Sequence, residues 1–525
     1  MAMKIHDNIS MSLAKPDDLV LSLKLKWATG AASIGLGLLI LALANIQLPQ
    51  SNIILIISML LLSFGVILFS HALYRNHLSS NKNNGIWYNS ITSRGLQGWM
   101  LGLVLTSFYI VLYFYPNLLG LGLNGQENTG LIHLFDALSL NLNGHNATQW
   151  FVYGTLYTLA ILLFGYKFML KYQKNRYQQL RTLSVMFFQL GFAFLIPELM
   201  SKLNSESSQL PYYDLKNIWP LNYAQFEQGR VDGFLNGSSL GMLLLAFSIL
   251  SVFVISPILT YKYGKRWYCS WVCGCGGLAE TAGDSFRHLS SKTLKSWKVE
   301  RWLIHVVLVF VILMTVAVIS TYLETDALQY WLTRDAFLVL IGALLTAVFS
   351  LTMIFKRKEL AQDAQYAAIG FFVLILSLLG FHFFSIGSKL FFIDAETLRS
   401  SYGFFIGSIF SGVIGVGMYP ILGSRVWCRF GCPMAAVLGF QQRLFSKFRI
   451  TTNGGQCISC GNCSTFCEMG IDVRAYAQKG ENMVRSSCVG CGICADVCPR
   501  GVLKLENVSI IEGLNFPKIR KETKE

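Results

Sequence analysis

The chain has 525 residues, enough for several soluble domains, yet 53% of them are apolar and only 14% charged, with a mean hydropathy of +0.48. That balance excludes an ordinary soluble or a disordered protein and indicates a polytopic membrane protein. A net charge of +15 also occurs in nucleic-acid binders, but basic residues collect on the cytoplasmic side of membrane proteins, and with this hydropathy no nucleic acid is expected as a partner.

Residues 1–26 are polar and too mixed for a secretory leader; they read as a cytoplasmic N-terminal segment before an apolar run that stays as an anchor. Ten apolar runs of bilayer-spanning length follow. Five lie in an N-terminal transmembrane region, 27–237, at 27–46, 52–73, 96–116, 150–166 and 183–200. Five more lie in a second region, 238–450, at 238–259, 302–322, 336–355, 366–386 and 403–422. Ten crossings put both ends of the chain on one side. Sorted this way, nearly all Lys and Arg fall on that side, which is therefore expected to be cytoplasmic. Residues 118–148, an outer loop in this scheme, hold no Lys or Arg. All 13 cysteines fall on the positive side, which excludes a secreted disulfide framework. Within the runs almost nothing ionises apart from Glu198, which argues against an ion pump.

Two cysteine hooks follow the sixth and tenth runs. One reads Arg266-Trp267-Tyr268-Cys269-Ser270-Trp271-Val272-Cys273-Gly274-Cys275, the other Arg425-Val426-Trp427-Cys428-Arg429-Phe430-Gly431-Cys432-Pro433. Arg266 aligns with Arg425, and the two cysteines of each hook align with one another, as in a weak internal repeat. Cysteines at i and i+4 share a face if the spans continue as helix, and two such hooks present four thiolates to one soft metal or cluster at the membrane edge. Cys269, Cys273, Cys428 and Cys432 are therefore candidate ligands of a third centre, with Cys275 a spare thiol. The bland alternative is four small buried cysteines; the duplicated spacing weighs against it.

The strongest pattern lies in 451–505. Cys457, Cys460, Cys463 and Cys467 read C-x-x-C-x-x-C-x-x-x-C, and so do Cys488, Cys491, Cys494 and Cys498, the second run ending in Pro499. This is the bacterial two-cluster ferredoxin spacing, in which the fourth cysteine of each run ligates the other cluster. One [4Fe–4S] cluster is assigned Cys457, Cys460, Cys463 and Cys498, the other Cys488, Cys491, Cys494 and Cys467. Structural zinc pairs two C-x-x-C hooks and does not run four cysteines this way. Glu468 stands where the first run would have its proline, and the stretch between the runs is long enough for a strand, a turn and a return. The fold class expected is mainly α: a polytopic α-helical membrane protein with a small C-terminal α+β two-cluster ferredoxin domain and a tail at 506–525.

Paired hooks after membrane spans, followed by eight ferredoxin cysteines, resemble the polyferredoxin-like membrane 4Fe–4S electron-transfer proteins of the NapH, NosR and CcoG kind. The resemblance covers chiefly 238–505 and departs from the pattern at Gly274, where a proline is usual. It implies a multi-pass inner-membrane protein with termini and clusters cytoplasmic, exchanging electrons between a cytoplasmic redox protein and the quinone pool or the subunits of a membrane redox complex. It implies an electron-transfer component, with a quinol dehydrogenase or oxidoreductase complex as one setting for it, and leaves open whether the chain is itself an enzyme. The likeness to CcoG keeps open a copper or iron reductase or assembly factor; a redox-sensing scaffold is the third reading.

Weaker features have bland counterparts. His71, His305 and His382 lie in or near spans; the first two are candidates for a haem b or a quinone contact, against the commoner role of hydrogen-bonded structural residues. His133, Asp136 and His145, in the outer loop, read as solvated or capping residues rather than a metal site. Asn124-Gly125 and Asn143-Gly144 are turn signals. Residues 201–236 read as an ordered outer segment that offers a docking surface. Lys292, Lys295 and Lys298 read as lipid-phosphate contacts, and 518–524 as a solvated basic tail.

Overall fold

The computed structural model describes residues 22–46, 50–75, 89–122, 126–204, 212–236, 239–325, 332–357, 362–384 and 393–507. The segment before residue 22, the Asn124-Gly125 turn and the tail with its 518–524 run lie outside them. Among the described residues nine helices are long and apolar enough to cross a membrane, which makes this a multi-pass membrane protein. The first six are α1 Leu23–Leu43, α2 Ser51–Tyr74, α3 Leu96–Phe114, α4 Gln149–Lys171, α5 Arg176–Asn204 and α6 Ser239–Tyr263. A short helix, α7 Gly274–Thr281, precedes the remaining three, α8 Leu294–Thr325, α9 Arg334–Lys356 and α10 Gln362–Phe384.

Local chemistry starts these helices where they start. Ser22, Thr148 and Thr333 each accept a backbone N–H of the first turn, at Leu25, Phe151 and Ala336. Most of each span's surface is apolar and turned outward, as in a chain whose solvent at that depth is hydrocarbon. Where helices touch they use small residues. Buried Ser58 of α2 donates to Gly35 O of α1 at 2.7 Å, and Gly65 faces Ala28 and Ala32 so closely that a Cβ there would meet Ala28 O at 2.8 Å.

The tenth expected run, 403–422, departs from a plain span. α11, Ala395–Tyr402, is capped by Asp394 and passes into a π-helical stretch, Gly403–Ile414, then a turn and one more helical turn at Tyr419–Leu422. The run is rich in glycine and carries Pro420. Gly412 lets the Tyr109 and Tyr113 rings of α3 pack against its backbone, where an added Cβ would meet Tyr109 at 2.8 Å. Close approach of rings to backbone takes the place of regular helix.

α12, Pro433–Phe445, leads into β1, Phe448–Thr452, which pairs antiparallel with β2, Leu503–Asn507, from Phe448↔Asn507 to Thr452↔Leu503. The chain between the cysteine runs is not strand, turn and return. It forms α13, Val473–Lys479, and meets β1 through a bridge between Met483 and Ile450 and through Asn482, whose Oδ1 accepts from Thr452 N at 3.3 Å. The two-stranded sheet clasps the ends of the cysteine-rich unit. That unit is seated on the bundle through polar contacts: Asn175 Nδ2 donates to Asp496 Oδ1 at 2.6 Å, Tyr177 Oη to Gly490 O at 2.8 Å, and Ser270 Oγ to Val489 O at 2.8 Å.

Candidate metal centres

Each cysteine run wraps itself the same way. A left-handed glycine, Gly461 or Gly492, precedes a one-turn helix, Asn462–Thr465 or Ile493–Asp496, that carries the third cysteine. The position before the second cysteine is also left-handed in both runs: Ser459 at φ 59° and Gly490 at φ 64°. Ser459 is exposed and tolerates a side chain. At Gly490 a Cβ would lie 2.8 Å from Arg266 Cβ and 3.0 Å from the Phe448 ring, so only glycine fits.

A cavity in the cysteine-rich unit is lined by Cys457, Cys460, Cys463 and Cys498, with Arg474 and Arg500 at its rim. The fold thus brings the first three cysteines of one run to the last of the other. Cys488, Cys491, Cys494 and Cys467 form a second group whose sulfurs act electrostatically on one another. Burial pushes the Cys463 thiol up to about 12 and the Cys488 thiol up to about 11, so these sulfurs become thiolates only when a metal centre compensates them. Among the described residues no three His, Cys, Asp or Glu side chains stand close enough to hold a single metal ion. Sulfurs around a lone zinc ion would lie about 3.8 Å apart, given a Zn–S bond near 2.3 Å. Thiolates around an iron–sulfur cube are spread more widely, and the donor set fits that larger guest.

The hooks differ from expectation in two respects. First, the spans do not continue as helix into them. α6 ends at Gly264, φ 67°, and the other chain segment turns at Gly423, φ 100°. A Cβ at Gly264 would lie 2.6 Å from Gln442 Oε1, and one at Gly423 2.8 Å from Ser290 N. Cys269 closes a one-turn helix and Cys273 caps α7, while Cys428 lies in a π turn and Cys432 caps α12. Second, the first hook runs into the bundle rather than along its edge. Gly274 packs on Gln189 and lies 3.4 Å, as a notional Cβ, from Tyr157; Gly277 packs on Val185 and Ile161. All four of those neighbours sit inside α4 and α5.

Cys269, Cys273, Cys428 and Cys432 are all buried and belong to one apolar core. The same core takes in Cys463, Cys488 and Cys494. Cys275 packs against it, beside Cys273. The aligned arginines have diverged. Arg266 stacks on Phe448, its guanidinium 4.4 Å from the ring. Arg425 is fully buried and donates from Nη1 to Cys269 O at 3.1 Å and to Cys428 Sγ at 3.7 Å.

The segment expected as an outer docking surface instead re-enters the bundle. Lys216 Nζ donates to Gln189 Oε1 at 2.7 Å, its carbonyl accepts from Tyr268 Oη at 2.9 Å, and Trp219 Nε1 donates to Thr315 Oγ1 of α8 at 3.0 Å. Ile218 joins the hook core. Irregular backbone is tolerated at that depth because protein, not lipid, surrounds it.

Sequence reasoning also passed over an ionic cluster between the hooks and the cysteine-rich unit. Glu280 contacts Arg181 and Arg425; Glu468 contacts Arg287 at 3.1 Å and Arg425 at 3.0 Å; Asp284 contacts Arg287 at 3.0 Å and Lys171. The two Glu468 pairs are charge contacts without aligned hydrogen bonds. Burial alone would raise both carboxyls, but Lys171 and Arg287 hold Asp284 down to about 2, and Arg287 and Arg425 hold Glu468 below the usual carboxylate range. The sequence clue was the carboxylate in a proline's place, beside arginines on segments that otherwise read as apolar.

The weaker features take their bland roles. His71 contacts Tyr166 and His305 the Arg301 carbonyl, on helices with different neighbours. Asp136 accepts from Asn128 Nδ2 and Ala147 N and contacts His133, which folds the loop before α4. Lys292 is not a lipid contact: its Nζ donates to Thr465 O and His288 O, both at 3.0 Å.

Residues 449–499 match the family model described as a 4Fe–4S dicluster domain, and residues 245–293 and 403–451 each match one described as a 4Fe–4S binding domain. The latter two matches contain the two hooks. Among curated proteins the chain is similar to "Putative electron transport protein YccM" of Escherichia coli (strain K12), with 25% identity over 232 residues. That match covers 44% of this chain and 46% of the relative, so the chain spans about half the length of the relative it matches. No solved structure matches. Iron–sulfur family domains over both hooks and the cysteine-rich unit, together with a set of apolar spanning helices, make the chain similar to membrane polyferredoxins.

Proposed function

We propose that the protein moves electrons between a cytoplasmic donor or acceptor and the quinone pool, or a redox partner in the bacterial inner membrane. Its cysteine-rich unit and both chain ends lie on the cytoplasmic side, where the excess of Lys and Arg falls. Cys457, Cys460, Cys463 and Cys498 hold one [4Fe–4S] cluster and Cys488, Cys491, Cys494 and Cys467 the second, while Cys269, Cys273, Cys428 and Cys432 hold a third centre inside the bundle. Bound clusters supply one-electron carriers. The chain fixes their spacing, keeps water from the inner two sites and places Arg425 as a donor at Cys428.

The observation that carries this reading is the single apolar core running from the cysteine-rich unit to the hooks. It makes sulfur sites of one unbroken interior, graded from a solvent-facing cavity to the middle of the bundle. The test is iron and sulfide content with EPR of the reduced protein, in the wild type and in a Cys428→Ser/Cys432→Ser variant. Two cubes give about eight irons per chain. The wild type should exceed that, and the variant should fall to it with loss of one EPR signal. An iron-free, colourless preparation made anaerobically rejects the reading.

A further inference from the structure

Outside the ionic cluster, one buried lysine among the described residues has an amine with no partner. Lys265 is 0% exposed, and its Nζ has no hydrogen-bond partner. Among the described residues no other buried lysine nitrogen is in that position: Lys216, Lys171 and Lys292 all have named acceptors. Its backbone is pinned. Lys265 N donates to Gln442 Oε1 at 2.8 Å, and Lys265 O accepts from Cys269 N at 3.0 Å. Gln442 in turn donates from Nε2 to Cys488 O at 2.9 Å. Lys265 therefore stands between a hook cysteine and a cysteine of the inner ferredoxin group, and its ammonium acts electrostatically on both sulfurs.

An ammonium without a partner in a dry interior is strongly unfavourable. Exposure cannot relieve it here, and no carboxylate is paired with it. A cluster held by four thiolates is an anion, and reduction makes it more negative. A fixed positive charge beside it favours the reduced form. The internal repeat adds asymmetry. Lys265 follows Gly264 as Ser424 follows Gly423, so the charge is carried only by the hook that touches the Cys488–Cys491 loop, through Ser270 and Val489.

We propose that Lys265 is the counter-ion shared by the hook centre and the Cys467/Cys488/Cys491/Cys494 centre, raising the reduction potential of both while leaving that of the Cys457/Cys460/Cys463/Cys498 centre unchanged. This rests on the electron-transfer reading above. Lys265 acts through the centres' charge and contributes no ligand.

The test is potentiometric EPR on full-length, anaerobically purified protein in lipid nanodiscs, for wild type, Lys265→Met and Lys265→Arg. The Cys428→Ser/Cys432→Ser variant identifies the hook signal. Lys265→Met should lower the midpoints of the two flanking centres, shifting their reduced-to-oxidised ratio at least tenfold at fixed potential, about 59 mV for one electron. The third midpoint should stay put, and Lys265→Arg should behave as wild type. Loss of hook iron from Lys265→Met but not from Lys265→Arg also supports the assignment. A uniform shift of all three midpoints, no shift in the flanking pair, or the same outcome in both variants overturns it while leaving the electron-transfer reading intact. A wild type with no signal that depends on Cys428 and Cys432 removes the third centre and this proposal with it.

Discussion

Glu468 occupies the place that Pro499 holds in the second cysteine run, and the two could hardly be less alike in setting. Pro499 is exposed, whereas Glu468 is fully buried against Arg287 and Arg425. Removing one partner of a buried pair leaves an uncompensated charge, at about 3–5 kcal/mol. Glu468→Gln should therefore lower the thermal midpoint and release iron in detergent, and Glu468→Pro, which restores the usual motif, should do no better. Recovery of wild-type stability by the proline variant would show that the carboxylate has no structural part. Asp284 gives the pH counterpart. Lys171 and Arg287 hold its folded pKa at about 2, below that of an ordinary aspartate, so its contribution is complete above the ordinary aspartate range and is lost as pH falls toward 2. Thermal midpoints should be level from neutral pH to about 5 and then drop, and Asp284→Asn should be less stable at neutral pH with a shallower acid limb.

At the scale of elements, the cysteine loops are set by backbone as much as by sulfur. Gly490→Val places a branched side chain at positive φ, which costs about 1–2 kcal/mol before any clash, and here it also meets Arg266 and Phe448. It should strip iron from the inner centre, while Ser459→Gly at the equivalent exposed position should leave iron content unchanged; equal losses would mean the two loops are not built alike. The eight-cysteine spacing was legible because it is a local pattern, and so were most spans, because hydropathy is a running average. The depth of the hooks was not. It depends on Gly264 and Gly423 turning the chain back into the bundle, and a glycine after an apolar run reads equally well as an exit to water. The Lys216–Trp219 stretch was illegible for a related reason: its polar, aperiodic sequence looks solvated, and only Gln189, Tyr268 and Thr315 on other segments make it an interior piece.

For the molecule as a whole, the charge asymmetry of the loops sets an expectation about sidedness. A reporter fused after residue 525 should be active only as a cytoplasmic fusion, and the partly exposed Cys457 and Cys460 should react with membrane-impermeant thiol reagents in inverted vesicles of apo-protein but not in intact cells. Labelling in intact cells would reverse the proposed topology. The spans themselves say less than their surroundings: by hydropathy alone the chain is a helical membrane protein of any trade, and its chemistry is confined to segments that interrupt the helices.

The buried pairing of Glu468 also orders events during synthesis. Arg287 and Arg425 are translated before it, and the spanning helices have all emerged by the time it appears. Until the last cysteine-rich stretch folds onto the bundle, two guanidinium groups lack part of their compensation. Seating of the cysteine-rich stretch and completion of the bundle's charge pairs are thereby one and the same event.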